Sequence, residues 1–111
     1  MKMIYVRPEF VKETIKKEIL NNQDVMIFGT GTQLYELIPF LERLNKSFFN
    51  LESVKPVIEF SKNTYVFFIR KENDYITYTN ILSFENFDDI KYDDFVRINI
   101  NDIFFKKNIS V

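Results

Sequence analysis

Two stretches of the chain hold residues whose types and spacing could do chemistry. The first is MIFGTGTQLYEL, residues 26–37, where an apolar run ends in Gly29, Thr30, Gly31 and Thr32 and a helical pattern follows. Glycines after a buried strand let the backbone approach a ligand closely, and a helix N-terminus offers free N–H groups and the positive end of its dipole to an anion. Thr30 and Thr32 would add hydroxyl donors. Such a site would make the chain a small nucleotide- or phosphate-ligand-binding domain. The match to known phosphate motifs is partial. The dinucleotide fingerprint needs a third small residue three positions after Gly31, where Leu34 stands. A Walker motif needs Gly-Lys-Ser or Gly-Lys-Thr, and no lysine lies between Asp24 and Lys46. The simpler account is a strand-to-helix turn in which one or both glycines take positive φ. It is preferred because short motifs match often by chance.

The second stretch is SFENFDDIKYDDF, residues 83–95. It sets Glu85, Asp88, Asp89, Asp93 and Asp94 against a single Lys91, with Phe84, Phe87, Tyr92 and Phe95 interleaved. Carboxylates of this density suit a basic surface on another protein, and the rings would supply anchors. Asp88, Asp89, Tyr92, Asp93 and Asp94 are the candidate partner-binding residues. A surface of this kind could imitate a nucleic-acid backbone and occupy a basic groove. Paired aspartates also suit Mg²⁺ or Ca²⁺, but the spacing matches no EF-hand loop and the required glycine is absent. No metal and no other cofactor is expected. The ordinary alternative is a solvated loop with its rings turned into the core.

A third constellation is basic. Lys12, Lys16 and Lys17 share part of one helix face, with Arg7 near its start. Exposed lysines could touch phosphate. Glu9 and Glu13, three or four residues earlier, favour ordinary i,i+4 pairing instead.

The residues that are missing exclude more. The chain has 0 Cys and 0 His. Disulfides, thiolate metal sites, cysteine nucleophiles and every histidine-based device are therefore out. Catalysis would rest on carboxylates, Lys, Arg or Tyr, and a non-enzymatic role is expected. A net charge of −1 argues against nucleic-acid binding through a general positive field. No window holds about 18 uninterrupted apolar residues, so no membrane span is expected. The N-terminus lacks the pattern of a signal peptide, which leads to a cytoplasmic expectation. The chain lacks Ala and Trp and is rich in Ile, Asn, Lys, Phe and Tyr, the bias of an AT-rich genome such as phages and other mobile elements carry.

The elements that must position these residues come next. At 111 residues, 46% hydrophobic and 28% charged, the chain makes one domain, residues 1–111, with a packed core. Residues 3–6 read as a short strand. Pro8 opens a helix over 8–21, with Phe10, Val11, Ile15, Ile19 and Leu20 at helical spacing and Asn21-Asn22 as its stop. Residues 25–28 are apolar throughout, as in a strand buried on both faces. Strand, helix and strand in this order predict a right-handed crossover with parallel neighbours. Leu34, Leu37, Ile38, Leu41 and Leu44 mark a second helix, capped by Thr30 or Thr32, in which Pro39 must cause a kink or a break. Residues 56–60, 64–71 and 75–82 are rich in β-branched and aromatic types and read as an antiparallel meander. Residues 95–101 alternate cleanly and read as a further strand. The apolar tail after Asp102 is expected to dock on the body.

These elements predict an α+β domain, with two helices on one face of a mixed, largely antiparallel sheet of about five to six strands in the order β-α-β-α-β-β-β-β. With 13 Phe and 6 Tyr, several rings must reach the surface or an interface. The face with Tyr75, Thr77 and Thr79, or the one with Ile76 and Tyr78, is the candidate. The expected function is a small protein-interaction module, an accessory or inhibitor protein of a phage or mobile element. It would bind a protein partner through the acidic and aromatic segment, and a homodimer is a further expectation from its ring content.

Overall fold

The structure is a computed structural model that describes residues 3–80 and 94–100. It opens with strand β1, Met3–Tyr5, then a single 3-10 turn at Pro8–Phe10 and helix α1, Val11–Leu20. Strand β2, Val25–Thr30, runs directly into α2, Gly31–Arg43. A third helix, α3, covers Leu51–Ile58. Strands β3, Thr64–Ile69, β4, Ile76–Asn80, and β5, Val96–Asn99, complete the described elements. The α+β class is as expected from the sequence.

The strands lie in the order β1-β5-β2-β3-β4. Strand β5 is parallel to both β1 and β2, with Ile98 opposite Ile4 on one side and Ile27 on the other. Strands β2, β3 and β4 are antiparallel in sequence order. The expected crossover therefore joins strands of like direction, but they are not neighbours, because β5 occupies the place between them. Pairing β5 there buries Ile98 fully, and no local pattern in the first thirty residues reports that non-local partner.

All three described helices cover one face of the sheet. Val11 and Ile15 of α1, Leu34, Leu37, Ile38 and Leu41 of α2, and Val54 and Ile58 of α3 pack on Val25, Ile27, Tyr65, Phe67, Ile69, Ile76, Ile98 and Ile100. Period-2 alternation sends Met26, Phe28, Val66 and Phe68 to the opposite face, where they cluster with Phe95. Strand β2 is thus buried on both faces, as its unbroken apolar run requires. Each such aliphatic or aromatic side chain contributes about 1.5–3 kcal/mol on burial.

Residues 56–60 are a correction, and with them the expected pair of helices becomes three. They are not a strand: α3 runs through Pro56, and Phe60 lies just beyond it. Leu51, Val54 and Ile58 follow helical spacing, and burying that stripe against α2 and the sheet outweighs both the β-branched bias of Val57-Ile58 and the bond lost at Pro56. Pro39 does not break α2, which runs from Gly31 to Arg43 with the ring on the exposed side.

Asparagine takes the place of glycine at two helix ends. Asn22 and Asn45 have φ of 58° and 65°, the left-handed position beyond a helix C-cap. After α1, Asn22 N–H donates to Ile19 O and Gln23 N–H to Glu18 O. After α2, Asn45 N–H donates to Glu42 O and Lys46 N–H to Leu41 O. Among the described residues no helix is long and apolar enough to cross a membrane.

Candidate functional site

The Gly-Thr-Gly-Thr turn can be followed donor by donor. Thr30 caps α2 through a reciprocal box: its Oγ1 accepts from Gln33 N–H at 3.2 Å, and its own N–H donates to Gln33 Oε1 at 2.9 Å. Gly31 N–H donates to Asn63 O at 3.0 Å, and Thr32 N–H donates to Ser61 O at 3.1 Å. Thr32 Oγ1 donates to the same Ser61 carbonyl at 3.3 Å. The first-turn donors that an anion would use are bonded to the segment between α3 and β3.

Neither glycine has positive φ, which corrects the expectation of a left-handed turn. Their small size serves packing. A Cβ on Gly31 would lie 2.5 Å from Ile58 O and 2.9 Å from Ser61 Cβ. A Cβ on Gly29 would lie 2.9 Å from Ile100 Cγ1. Glycine at 31 lets the start of α2 sit against the end of α3; glycine at 29 makes room for Ile100.

Of the five acidic-segment candidates, Asp94 is described and exposed, two residues before β5. Asp88, Asp89, Tyr92 and Asp93 lie outside the described residues. Next to Asp94, Phe95 is buried edge-on against Phe68 at 6.2 Å, and the Arg70 guanidinium sits 5.2 Å over its ring. That ring is therefore turned inward, as the solvated-loop account expected for such rings.

Lys12, Lys16 and Lys17 are exposed on α1. The ordinary pairing expected for them is not formed: among the described residues no ion pair joins them to Glu9 or Glu13, and Lys12 Nζ lies 6.0 Å from the Phe40 ring. Lys12 instead borders a cleft of about 370 Å³, which the sequence did not suggest. Pro8, Glu9, Val11 and Lys12 form one wall, Gln33, Glu36 and Leu37 the other, and Ile100 the floor. It opens where β1, β5 and β2 present their carboxyl ends, a common ligand position in parallel sheets. Its carboxylates outnumber its ammonium, which does not suit a phosphate.

The most exposed rings lie elsewhere. Phe49 and Phe60 are each 83% exposed, Tyr75 is 52% exposed and Val57 44%. Tyr75 came from the sequence as one of two alternative sheet faces; the other, with Ile76 and Tyr78, points into the helix-covered core. Phe49 and Phe60 were missed. Assigning residues 56–60 to a strand hid that Phe60 lies just past a helix, and no local pattern marked Phe49, which precedes it.

This corner is held firmly. Lys46, itself buried, donates from Nζ to Asn73 O at 2.6 Å and Arg70 O at 3.2 Å, and sits 3.8 Å from Asp74 Oδ1. Ser47 N–H donates to Asp74 O and Ile76 N–H to Ser47 O, which brings the chain before α3 alongside the start of β4. Phe49 then meets Tyr75 edge-to-face at 5.6 Å. Phe48, one residue away, turns inward and meets Phe67 at 5.0 Å. Comparison of the chain with known protein families, with curated proteins and with solved structures returns no match.

Proposed function

We propose that the chain is a small non-enzymatic protein-interaction module, working as an accessory or inhibitor protein of a phage or mobile element. The observation that supports this is the exposure of Phe49 and Phe60, 83% each, one before and one after α3, with a partly exposed Tyr75 against Phe49 and a partly exposed Val57 on the helix. A large apolar side chain held in place, as Phe49 is against Tyr75 beside the Lys46 and Ser47 contacts, costs little to order and makes a good anchor. The acidic and aromatic segment, with Asp88, Asp89, Tyr92, Asp93 and Asp94, supplies the charged part of the contact.

The test is partner capture in the cells from which the chain comes. Phe49→Ser/Phe60→Ser removes exposed rings and leaves the core untouched, so the far-UV spectrum and unfolding midpoint stay close to the parent. Capture should fall at least tenfold. Asp88→Lys/Asp89→Lys should lower it further and weaken its salt dependence. Unchanged capture in both variants would overturn the proposal.

A small-ligand role keeps one supporting observation, the cleft between α1 and α2. A nucleotide or phosphate at Gly29, Thr30, Gly31 and Thr32 has less support, because the donors of that turn are already engaged. A phosphate-ligand panel in thermal unfolding tests the turn, and a panel of small cationic ligands tests the cleft, where a rise in midpoint lost in Glu36→Gln would favour it.

A further inference from the structure

Resting on the small-ligand reading of the cleft, and independent of the protein-interaction proposal, we infer that the cleft between α1 and α2 binds a small organic cation, an ammonium carried on an apolar body. The topology builds this cleft. Strand β5 lies between β1 and β2, the two strands that α1 joins. Ile100, the residue after β5, forms the floor, and its N–H donates to Phe28 O at 2.9 Å, which fixes it beside β2. Val11 of α1 and Leu37 of α2 flank it, and all three side chains are buried. Gly29 shapes the same floor. A Cβ there would lie 2.9 Å from Ile100 Cγ1 and 3.1 Å from Gln33 Oε1, so the glycine lets both side chains pack over it. The resulting volume of about 370 Å³ is within the range of small-molecule sites. An apolar floor takes the body of a ligand and leaves its polar end to the walls.

The walls select the charge. Glu9 stands on one side and Glu36 on the other. Neither carboxylate has an ion-pair partner among the described residues. Lys12 does not neutralise them: its Nζ lies 6.0 Å from the ring of Phe40, which is not part of the lining. Two carboxylates against one ammonium leave the lining with a net charge of −1. The N–H groups from Thr30 to Gln33, the anion-seeking end of α2, are all bonded within the chain. A carboxylate or phosphate here would face two like charges, whereas an ammonium would be drawn to both. An inorganic cation fits less well, because the floor offers it no oxygen ligand and no metal-holding group of acidic side chains forms among the described residues.

The experiment titrates three small molecules into the full isotope-labelled chain and follows its amide shifts: phenethylamine as the cation, phenethyl alcohol as its neutral isostere and phenylpropionate as the anion. Phenethylamine should bind on the order of millimolar, as expected of so small a ligand, with shifts gathered at Glu9, Lys12, Gln33 and Glu36. Salt should weaken it. Glu9→Gln and Glu36→Gln, both exposed changes, should each weaken it about threefold, the scale of an exposed ion pair, with the far-UV spectrum and unfolding midpoint close to the parent. Lys12→Ala removes a like charge and should tighten it; a site for anions would respond the opposite way. Equal binding of phenethyl alcohol, or an affinity unmoved in Glu9→Gln/Glu36→Gln, overturns the cation class while leaving a small-ligand cleft standing. No shift at the cleft with any of the three molecules overturns both and leaves the protein-interaction proposal untouched.

Discussion

Gly31→Ala is the sharpest perturbation of the turn between β2 and α2. The added methyl carbon would lie 2.5 Å from Ile58 O, 2.9 Å from Ser61 Cβ and 3.1 Å from Ser61 O. Two of these are backbone atoms at and just beyond the end of α3, so the clash cannot be relieved by turning one side chain. The start of α2 or the end of α3 must move. That motion strains the bonds from Gly31 N–H to Asn63 O and from Thr32 N–H to Ser61 O. Overpacking of this kind costs about 1–3 kcal/mol, and two weakened hydrogen bonds add about 1 kcal/mol. A total of about 2–4 kcal/mol corresponds to a midpoint lower by roughly 10–25 °C in a domain of this size. Gly29→Ala provides the contrast, because its closest contacts are the side chains of Ile100 and Gln33, which can shift. Its cost should be smaller, and Ile100→Val should recover part of it. The assay is urea unfolding followed by circular dichroism, with no ligand present. If Gly31→Ala changes stability by less than about 0.5 kcal/mol, the packing explanation of this glycine is wrong.

Three further changes test the framework around the candidate surface. Thr30→Ala removes the acceptor for Gln33 N–H and breaks the capping box, and should cost about 0.5–2 kcal/mol in the same unfolding assay. Lys46→Met keeps the apolar stem but leaves the carbonyls of Arg70 and Asn73 without the ammonium; about 1–3 kcal/mol is expected, with faster amide exchange in residues 70–76. Asn45→Ala puts a β-carbon on the left-handed position after α2 without the asparagine side chain and should destabilise by about 1 kcal/mol, while Asn45→Gly should be neutral or stabilising.

Much of the fold was legible because local pattern and burial agree there. The four apolar residues from Val25 to Phe28 announced a strand covered on both sides, and all four are fully buried. Asn21-Asn22 ends the first helix as read, but Pro8 opens a 3-10 turn, the α-helix begins at Val11, and Phe10 and Leu20 of its apolar spacing are exposed. Where burial opposed local propensity, propensity misled. Val57, Ile58 and Phe60 look like strand residues, yet only Ile58 faces the core, because it shares a helical stripe with Val54 and Leu51. The place of β5 between β1 and β2 depends on pairing Val96 with Val25 and Arg97 with Met3, partners far apart in the chain, which single-sequence pattern does not carry. The glycines raised two explanations, positive φ or close approach, and only the folded geometry separates them.

The candidate surface was legible in part for the same reason. Excess rings in a small chain implied exposure, and Tyr75 was among those named. Phe49 and Phe60 became visible only in the folded chain, where they stand exposed just before and just after α3. Phe48 and Phe49 are neighbours of identical type with opposite fates, 8% and 83% exposed, decided by which one the Ser47 bridge to Tyr75 turns inward.

If the exposed surface at the end of α3 that carries Phe60 contacts protein, a photo-crosslinking amino acid at position 60 will report it in the cells from which the chain comes. Position 17, on exposed α1, is the control. A discrete crosslinked protein species at position 60, absent at position 17, is the expected result. Equal crosslinking at the two positions, or none at either, would contradict Phe60 as part of a protein-binding surface.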